Sequence, residues 1–371
     1  MIKINKTTLS SALQLVGGAI RKNPQIPILG TIYIKTENET LLFRVSDSET
    51  QAEFKFKVEG DDSYEFCVPS QIFISTVMKA QGDDIELTYK ERENESRYIT
   101  LKAGRGKFKI EVIDASSFIY QDIEMNNPIS IKGETFFNAI RRAFMACDRK
   151  TDLKPAFNGC GIHCESNELS IVGCHEALIS RQRISVEGDF ESALLSQNFS
   201  AFAGNIKYQG LINIFRNENW FGFKFENFYI TTKIQSKEPI SKERIDGFWD
   251  LKKPNNIMLN RIDVLESAKR ISSYTNDKTF TIILEIKDDE LIVEAENNDL
   301  GHSASEFIPI LHSSVEDMRI GMNCTKLIVT LENLESENVH FHIIQHNKQI
   351  HIEGEGAELE TQNWMIMPLN I

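Results

Sequence analysis

The sequence predicts an α+β chain made of three repeated units, each with two helices packed on antiparallel sheets. Three observations predict it. An amphipathic helical segment recurs at a near-constant interval, a strand–turn–strand pattern follows each copy, and a second helical segment follows each hairpin.

The opening helices are TLSSALQLVGGAIRKN (8–23), ETFFNAIRRAFMACDRK (134–150) and RIDVLESAKRISSYTND (261–277). Leu9, Leu13, Val16 and Ile20 keep helical spacing in the first, Phe136, Ile140, Phe144 and Cys147 in the second, and Leu265, Ala268 and Ile271 in the third. Their central alanines, Ala12, Ala139 and Ala268, stand 127 and 129 residues apart. The strands that follow place Glu37-Asn38, Asn167-Glu168 and Asp288-Asp289 between alternating apolar runs, a hairpin signal. The second helices are PSQIFISTVMKAQG (69–82), LSQNFSAFAGNIKY (195–208) and NCTKLIVTLENLESE (323–337). Periodicity breaks near 121–130 and 244–256, where Asn, Pro and Gly gather. The expected units are therefore 1–125, 126–250 and 251–371.

The chain has 371 residues, room for two or three domains. It holds no run of 18 apolar residues, and its first residues, MIKINKTTLS, lack a signal-peptide core. Cysteines 67, 147, 160, 164, 174 and 324 form no CxxC pair, which suits a reduced cytoplasmic protein. No GxSxG, HExxH or P-loop occurs, so neither catalysis nor a cofactor is expected. VHFHIIQHNKQIHIEG (339–354) sets His340, His342, His346 and His351 on one hairpin face, read as a solvated outer face. A zinc-dependent enzyme built on those histidines is the rival reading.

Net charge is −13, which on average disfavours nucleic acid. The distribution says otherwise: taken as 6–23, 70–82, 133–150, 196–208, 261–275 and 323–337, the six helical segments sum to +6 and the rest of the chain to −19. Arg142 and Arg149 are expected off the apolar stripe of their helix. Helices lining one surface would offer phosphate a positive face that reads no bases, while acidic strands repel DNA elsewhere. The chain also ends on NWMIMPLNI, an uncharged apolar tail where most termini are polar.

These features resemble the bacterial DNA polymerase sliding clamp, the beta subunit of the replicative polymerase. The resemblance covers the whole chain. It rests on Pro27-Ile28-Leu29 after the opening helix, LFRVSDSETQAEF (42–54), NGCGIHCESNELSIVG (158–173), the three-unit layout and the ending Met367-Pro368-Leu369. The resemblance implies clamp-type domains in a head-to-tail homodimeric ring, helices inside, that encircles double-stranded DNA regardless of sequence and slides. It implies no enzymatic activity, a place in the cytoplasm at the nucleoid, and no membrane partner. Phe108 and Ile110 of one chain would meet Ser273 and Tyr274 of the other. The DNA-facing cations would be Arg21, Lys22, Lys79, Arg141, Arg142, Arg149, Lys150, Lys207, Lys269, Arg270 and Lys326.

By the same resemblance, the tail forms one wall of an apolar pocket where short motifs of the replicative polymerase, the clamp loader and other proteins dock. Met365, Ile366, Met367, Pro368, Leu369, Asn370 and Ile371 match the tail. Lys154, Phe157, Cys174, Glu176, Ala177, Leu178, Ile179, Pro239, Arg244 and Ile245 match the facing positions. The chain departs from the pattern in places. Glu176-Ala177-Leu178-Ile179 stands where the family has Gly-His-Arg-Leu, Asn370 and Lys154 replace arginines, and the stretch around Pro239 is one residue short. A repeat-built interaction scaffold that forms no ring is the alternative; the positive helices speak against it.

Overall fold

A computed structural model describes every residue except 21–23, 25, 61, 92–96, 149–154, 176, 251–254 and 357–360. The first third runs β1 (Ile2–Asn5), α1 (Lys6–Gly17), β2 (Thr31–Glu37), β3 (Thr40–Ser46), β4 (Thr50–Lys57), β5 (Tyr64–Pro69), α2 (Ser70–Lys79), β6 (Asp84–Glu91), β7 (Arg97–Ala103) and β8 (Gly106–Glu111). The second runs β9 (Ile129–Lys132), α3 (Gly133–Met145), β10 (Gly161–Glu165), β11 (Glu168–His175), β12 (Leu178–Ser185), β13 (Phe190–Leu194), α4 (Gln197–Gly204), β14 (Leu211–Asn217), β15 (Trp220–Phe225) and β16 (Phe228–Lys233). After α5 (Lys242–Trp249), the third runs β17 (Asn255–Asn260), α6 (Arg261–Ser272), β18 (Thr281–Lys287), β19 (Glu290–Asn297), β20 (His302–Pro309), β21 (His312–Ser313), β22 (Met318–Asn323), α7 (Cys324–Glu332), β23 (Asn338–Ile343), β24 (Ile350–Gly354) and β25 (Gln362–Ile366).

The repeat shows in local chemistry. Hairpins β2–β3, β10–β11 and β18–β19 each turn on two residues with positive φ: Asn38 and Glu39, Ser166 and Asn167, Asp288 and Asp289. That geometry matches the right-handed strand twist. The first two turns lie one residue from their expected places, because the positive-φ pair, not the most polar pair, closes the loop. Three helices start on an asparagine that ends a strand: Asn5 accepts from Thr8 N, Asn260 from Ile262 N and Asp263 N, and Asn323 from Lys326 N. Such caps satisfy amide groups that the first helical turn leaves free.

The chain forms two compact units. One holds residues 1–134 and 205–234, the other 135–204 and 235–371. The first contains a four-stranded sheet in the order β1-β6-β7-β8 and an eight-stranded sheet in the order β5-β2-β3-β4-β16-β15-β14-β9. The second contains a nine-stranded sheet, β13-β10-β11-β12-β25-β24-β23-β17-β21, and a four-stranded sheet, β20-β19-β18-β22. Strand pairs β4–β16 and β12–β25 therefore cross both repeat borders.

Apolar helix faces lie on these sheets. In the second unit Val264, Leu265, Ala268 and Ile271 of α6 and Leu327 and Leu331 of α7 join a buried cluster with Trp364. Gly173 on β11 shows how closely α3 approaches: a Cβ there would stand 1.6 Å from the Ala143 carbonyl oxygen. Two expectations change. The opening helices are shorter than read, α1 ending at Gly17 and α6 at Ser272. The stretch 244–256 is no simple break, because α5 occupies its start. Gly247 does not prevent this helix; Ile245, Phe248 and Trp249 anchor it by burial.

Candidate functional site

Three strands and one helix build a buried apolar cluster in the second unit, where the resemblance expects a groove. Cys174 of β11 pairs with Ile179 of β12, and Ile179 pairs with Met365 of β25. Directly opposed residues share a face, so these side chains form one row. Val172 extends it, and α5 lays Ile245 on top; all five residues are buried. Phe157, Ile240, Phe248, Trp249 and Met367 form a partly buried margin. The tail continues along this edge. Met367 N donates to the Ala177 carbonyl at 3.0 Å, and Leu369 N to the Gly321 carbonyl at 2.8 Å. Pro368 and Leu369 are half-buried, and Asn370 and Ile371 are exposed.

Strand alternation corrects two expected groove residues. Leu178 and Ile366 pair with each other and point to the opposite face, into the core with Trp364. Pro239 lies against β10, where a Cβ on Gly161 would meet it at 2.9 Å. Arg244 is exposed on α5. Burial pushes the Cys174 thiol up to about 12, with Cys160 adding to the rise and the Arg244 charge opposing it. Cys174 is therefore an apolar lining group and not a thiolate. Lys154 and Glu176 lie outside the described residues.

The sequence reading missed what holds α5 in place. Arg181, two residues along β12 from Ile179, donates to Asp246 Oδ1 at 2.8 Å and to Asn363 Oδ1 at 3.2 Å. Its guanidinium stacks over the Trp249 ring, 4.1 Å from the centroid. Lys242 Nζ reaches Asp246 Oδ2 at 2.6 Å, one helical turn away. The available signals were the Ile179, Arg181, Arg183 alternation and the Lys242–Asp246 spacing.

Beside this anchor a polar cleft of about 690 Å³ is lined by Arg181, Arg183, Lys242, Asp246, His340 and His342, among others. The histidine hairpin face is therefore not simply solvated. His351 is fully buried, its ring edge-on to Trp249 with centroids 5.3 Å apart. The α5 helix covers what the strand pattern alone left open. Among the described residues no three His, Cys, Asp or Glu side chains gather where they could hold a metal ion.

The helix cations divide into two sets. Lys79, at the end of α2, and Lys207, beyond α4, are exposed and have no ion-pair partner among the described residues. The others that are described have partners. Arg141 donates to Asn333 Oδ1 at 3.0 Å. Lys269 sits 3.0 Å from Glu332 and 3.4 Å from Glu266. Arg270 makes two bonds to Glu306, at 2.8 and 2.7 Å, which hold that carboxyl below its usual range. Lys326 is half-buried near the start of α7. Arg142 is a correction: it is buried and ion-paired with Glu335, not presented to solvent. Burial pushes its pKa down against the pull of Glu335. Its position follows from the broad apolar face of α3, where Ala139, Ala143 and Ala146 bring neighbours close. Arg21, Lys22, Arg149 and Lys150 lie outside the described residues.

Two sheet edges carry exposed apolar side chains. Phe108 is exposed on β8, an end strand of its sheet, whereas Ile110 is buried in its own unit. Ser273 and Tyr274 are exposed at the end of α6. Phe307, on the end strand β20, is 62% exposed and was not singled out in the sequence.

Comparison with known proteins places these features. A family model for the N-terminal domain of the DNA polymerase III beta subunit matches residues 1–121, and one for its C-terminal domain matches residues 252–369. The beta sliding clamp of Streptococcus pneumoniae R6 is 25% identical over 355 residues, covering 91% of this chain and 90% of that protein. Among solved structures, the DNA polymerase III beta subunit of Pseudomonas aeruginosa bound to griselimycin aligns with a TM-score of 0.90 at 18% identity. It covers 100% of this chain and 99% of the other. The DNA polymerase beta subunit of Streptococcus pyogenes aligns over 100% of both chains with a TM-score of 0.89 at 17% identity.

Proposed function

The chain belongs to the bacterial DNA polymerase III beta subunit family, and from that membership we propose that it is a sliding clamp which docks partner proteins in the Cys174–Ile179–Met365 groove. It serves as a processivity subunit and performs no chemistry of its own. Its partners are double-stranded DNA, held without regard to sequence, and short apolar motifs of the replicative polymerase and the clamp loader. It works in the cytoplasm, at the nucleoid.

The observation that carries the groove is the cross-strand apolar row, walled by α5 and continued by the tail from Met367 to Leu369. A groove of that kind suits a short hydrophobic peptide. The histidine of the family pattern is replaced by Ala177 beside the groove, and the arginine by Leu178, which turns into the core, so apolar contact weighs more than polar anchoring in its choice of peptide.

We further propose a head-to-tail homodimer through the unlike edges β8 and β20, with Phe108 of one chain set against the surface around Phe307 and Tyr274 of the next. Unlike edges that pair twice around a twofold close a ring and cover β8 and β20. Three repeated domains of 1–125, 126–250 and 251–371 supply its helix pairs.

The test is fluorescence anisotropy of a labelled short hydrophobic clamp-binding peptide on the full chain and on a chain lacking Met367–Ile371. Binding to the full chain and its loss on truncation are expected. Equal binding to both chains would remove the tail from the groove.

A further inference from the structure

The cations that sequence assigns to one DNA-facing set are not equivalent in the fold. Lys79 and Lys207, both in the first compact unit, stand exposed without an ion-pair partner among the described residues. Lys269 and Arg270, both on α6 in the second unit, are each held by carboxylates from more than one element or by two bonds. Glu266 comes from α6 itself, Glu332 from the end of α7, and Glu306 from β20. Arg142 of α3 is buried on Glu335. The end of α7 and the loop after it expose Glu332, Glu335 and Glu337.

We propose that these carboxylates mute α6 toward phosphate, with Glu332 and Glu266 as the residues that set how weakly Lys269 can grip DNA. This rests on the reading that the helices face duplex DNA. The physics is competitive. An exposed ion pair opens readily, so phosphate can reach Lys269. Every such opening leaves two carboxylates beside the incoming phosphate, and the like charges cancel much of the gain. A cation whose charge is already balanced by carboxylates neutralises little phosphate charge, so it releases few of the counterions condensed on DNA and contributes little to salt-dependent affinity. Among the described helix cations, DNA contact then leans on Lys79 and Lys207. The α6 face offers a low-friction surface, which suits a protein that must slide and not stick.

The arrangement also separates two roles. Glu332 and Glu266 are 46% and 50% exposed, so glutamine in their place keeps shape and hydrogen bonding while removing charge. Glu335 serves the fold through Arg142 and is left unchanged in the test.

The experiment is titration of a duplex oligonucleotide with the full chain between about 50 and 200 mM salt, reading the slope of log affinity against log salt. Glu266→Gln/Glu332→Gln is expected to tighten binding severalfold at low salt. It should steepen the slope by about 0.9, the value of one added phosphate contact on duplex DNA. Adding Lys269→Ala to that pair should return both quantities to the starting values. Lys79→Ala/Lys207→Ala should flatten the slope by about two contacts. A flattened slope with the lysine pair but no change with the glutamine pair overturns the muting proposal alone. A gain that survives Lys269→Ala also overturns it, since the effect would then be general charge. No change with the lysine pair sinks the DNA-facing reading and the proposal with it. Unfolding curves of every variant confirm that the folded chain is compared.

Discussion

Replacing Ile245 with alanine tests whether α5 is a true wall of the groove. Ile245 is 1% exposed and touches the row formed by Val172, Cys174, Ile179 and Met365. The change removes three carbons, about 2.4 kcal/mol of transfer energy at roughly 0.8 kcal/mol for each. A cavity term adds to this, and large-to-alanine changes in cores span about 2–5 kcal/mol. The lower half of that range applies here. The α5 helix is eight residues long and lies on a sheet, so it can settle partly into the space. Its tethers, Asp246 to Arg181 and Trp249 on the same guanidinium, remain in place. The expected loss is therefore about 2–3.5 kcal/mol, or roughly 5–10 °C in the melting of a unit of 150–250 residues. Thermal unfolding followed by circular dichroism reads that shift. Peptide anisotropy on the same variant should show affinity reduced at least about fivefold, the share of a lost apolar wall. A shift below about 2 °C together with unchanged peptide affinity would refute the reasoning, because Ile245 would then support neither the fold nor the groove.

Two other outcomes follow from the same geometry. Burial alone would raise the Asp246 pKa, but Lys242 and Arg181 outweigh it and hold the carboxyl below its ordinary value. A depressed carboxylate stabilises the fold above its unfolded pKa, about 3.9, and loses that contribution as pH falls through the lower folded value. Asp246→Asn should thus flatten the acid limb of a urea stability profile below about pH 4 and leave its shape between about pH 6 and 8 unaltered. A parallel acid limb in both proteins would deny Asp246 this role. Phe108→Asp places a charge on an exposed edge strand and should shift the sedimenting species from dimer to monomer at micromolar concentration. A variant that stays dimeric would put the interface elsewhere.

Much of this architecture was legible because its determinants are local. Helix spacing and two-residue turns depend on a few neighbouring residues and recur in each copy, and asparagine caps recur in the first and third. The groove was legible in part. Cys174, Ile179 and Met365 were found by resemblance, and strand alternation confirms that they share one face. The same alternation could have excluded Leu178 and Ile366 from the sequence alone, since each is one residue out of phase. Other features needed the fold. Arg142 sits within an amphipathic helix at a position that looks polar, and only the packing of α3 shows that its guanidinium is buried and reaches the exposed Glu335. Glu332 and Glu266 carry no motif, and their meaning lies in their distance to Lys269. The two compact units were invisible to repeat analysis, because strand pairs such as β4–β16 join residues far apart in sequence.

The strand β25 has a consequence for how this chain is made. It follows every other strand among the described residues, and it sits between β12 and β24 in the middle of the nine-stranded sheet. A ribosome delivers β12 long before β25, so Leu178–Gln182 must wait for Gln362–Ile366 with one hydrogen-bonding edge open. A waiting edge with Ile179 and Leu178 on it is a place for mispairing, and the delay grows with every residue still in the exit tunnel. Until β25 is made, the large sheet of the second unit consists of two part-sheets, and β25 supplies the strand that joins them. The short stretch proposed to frame a docking groove is thus also the strand that joins the two halves of this sheet.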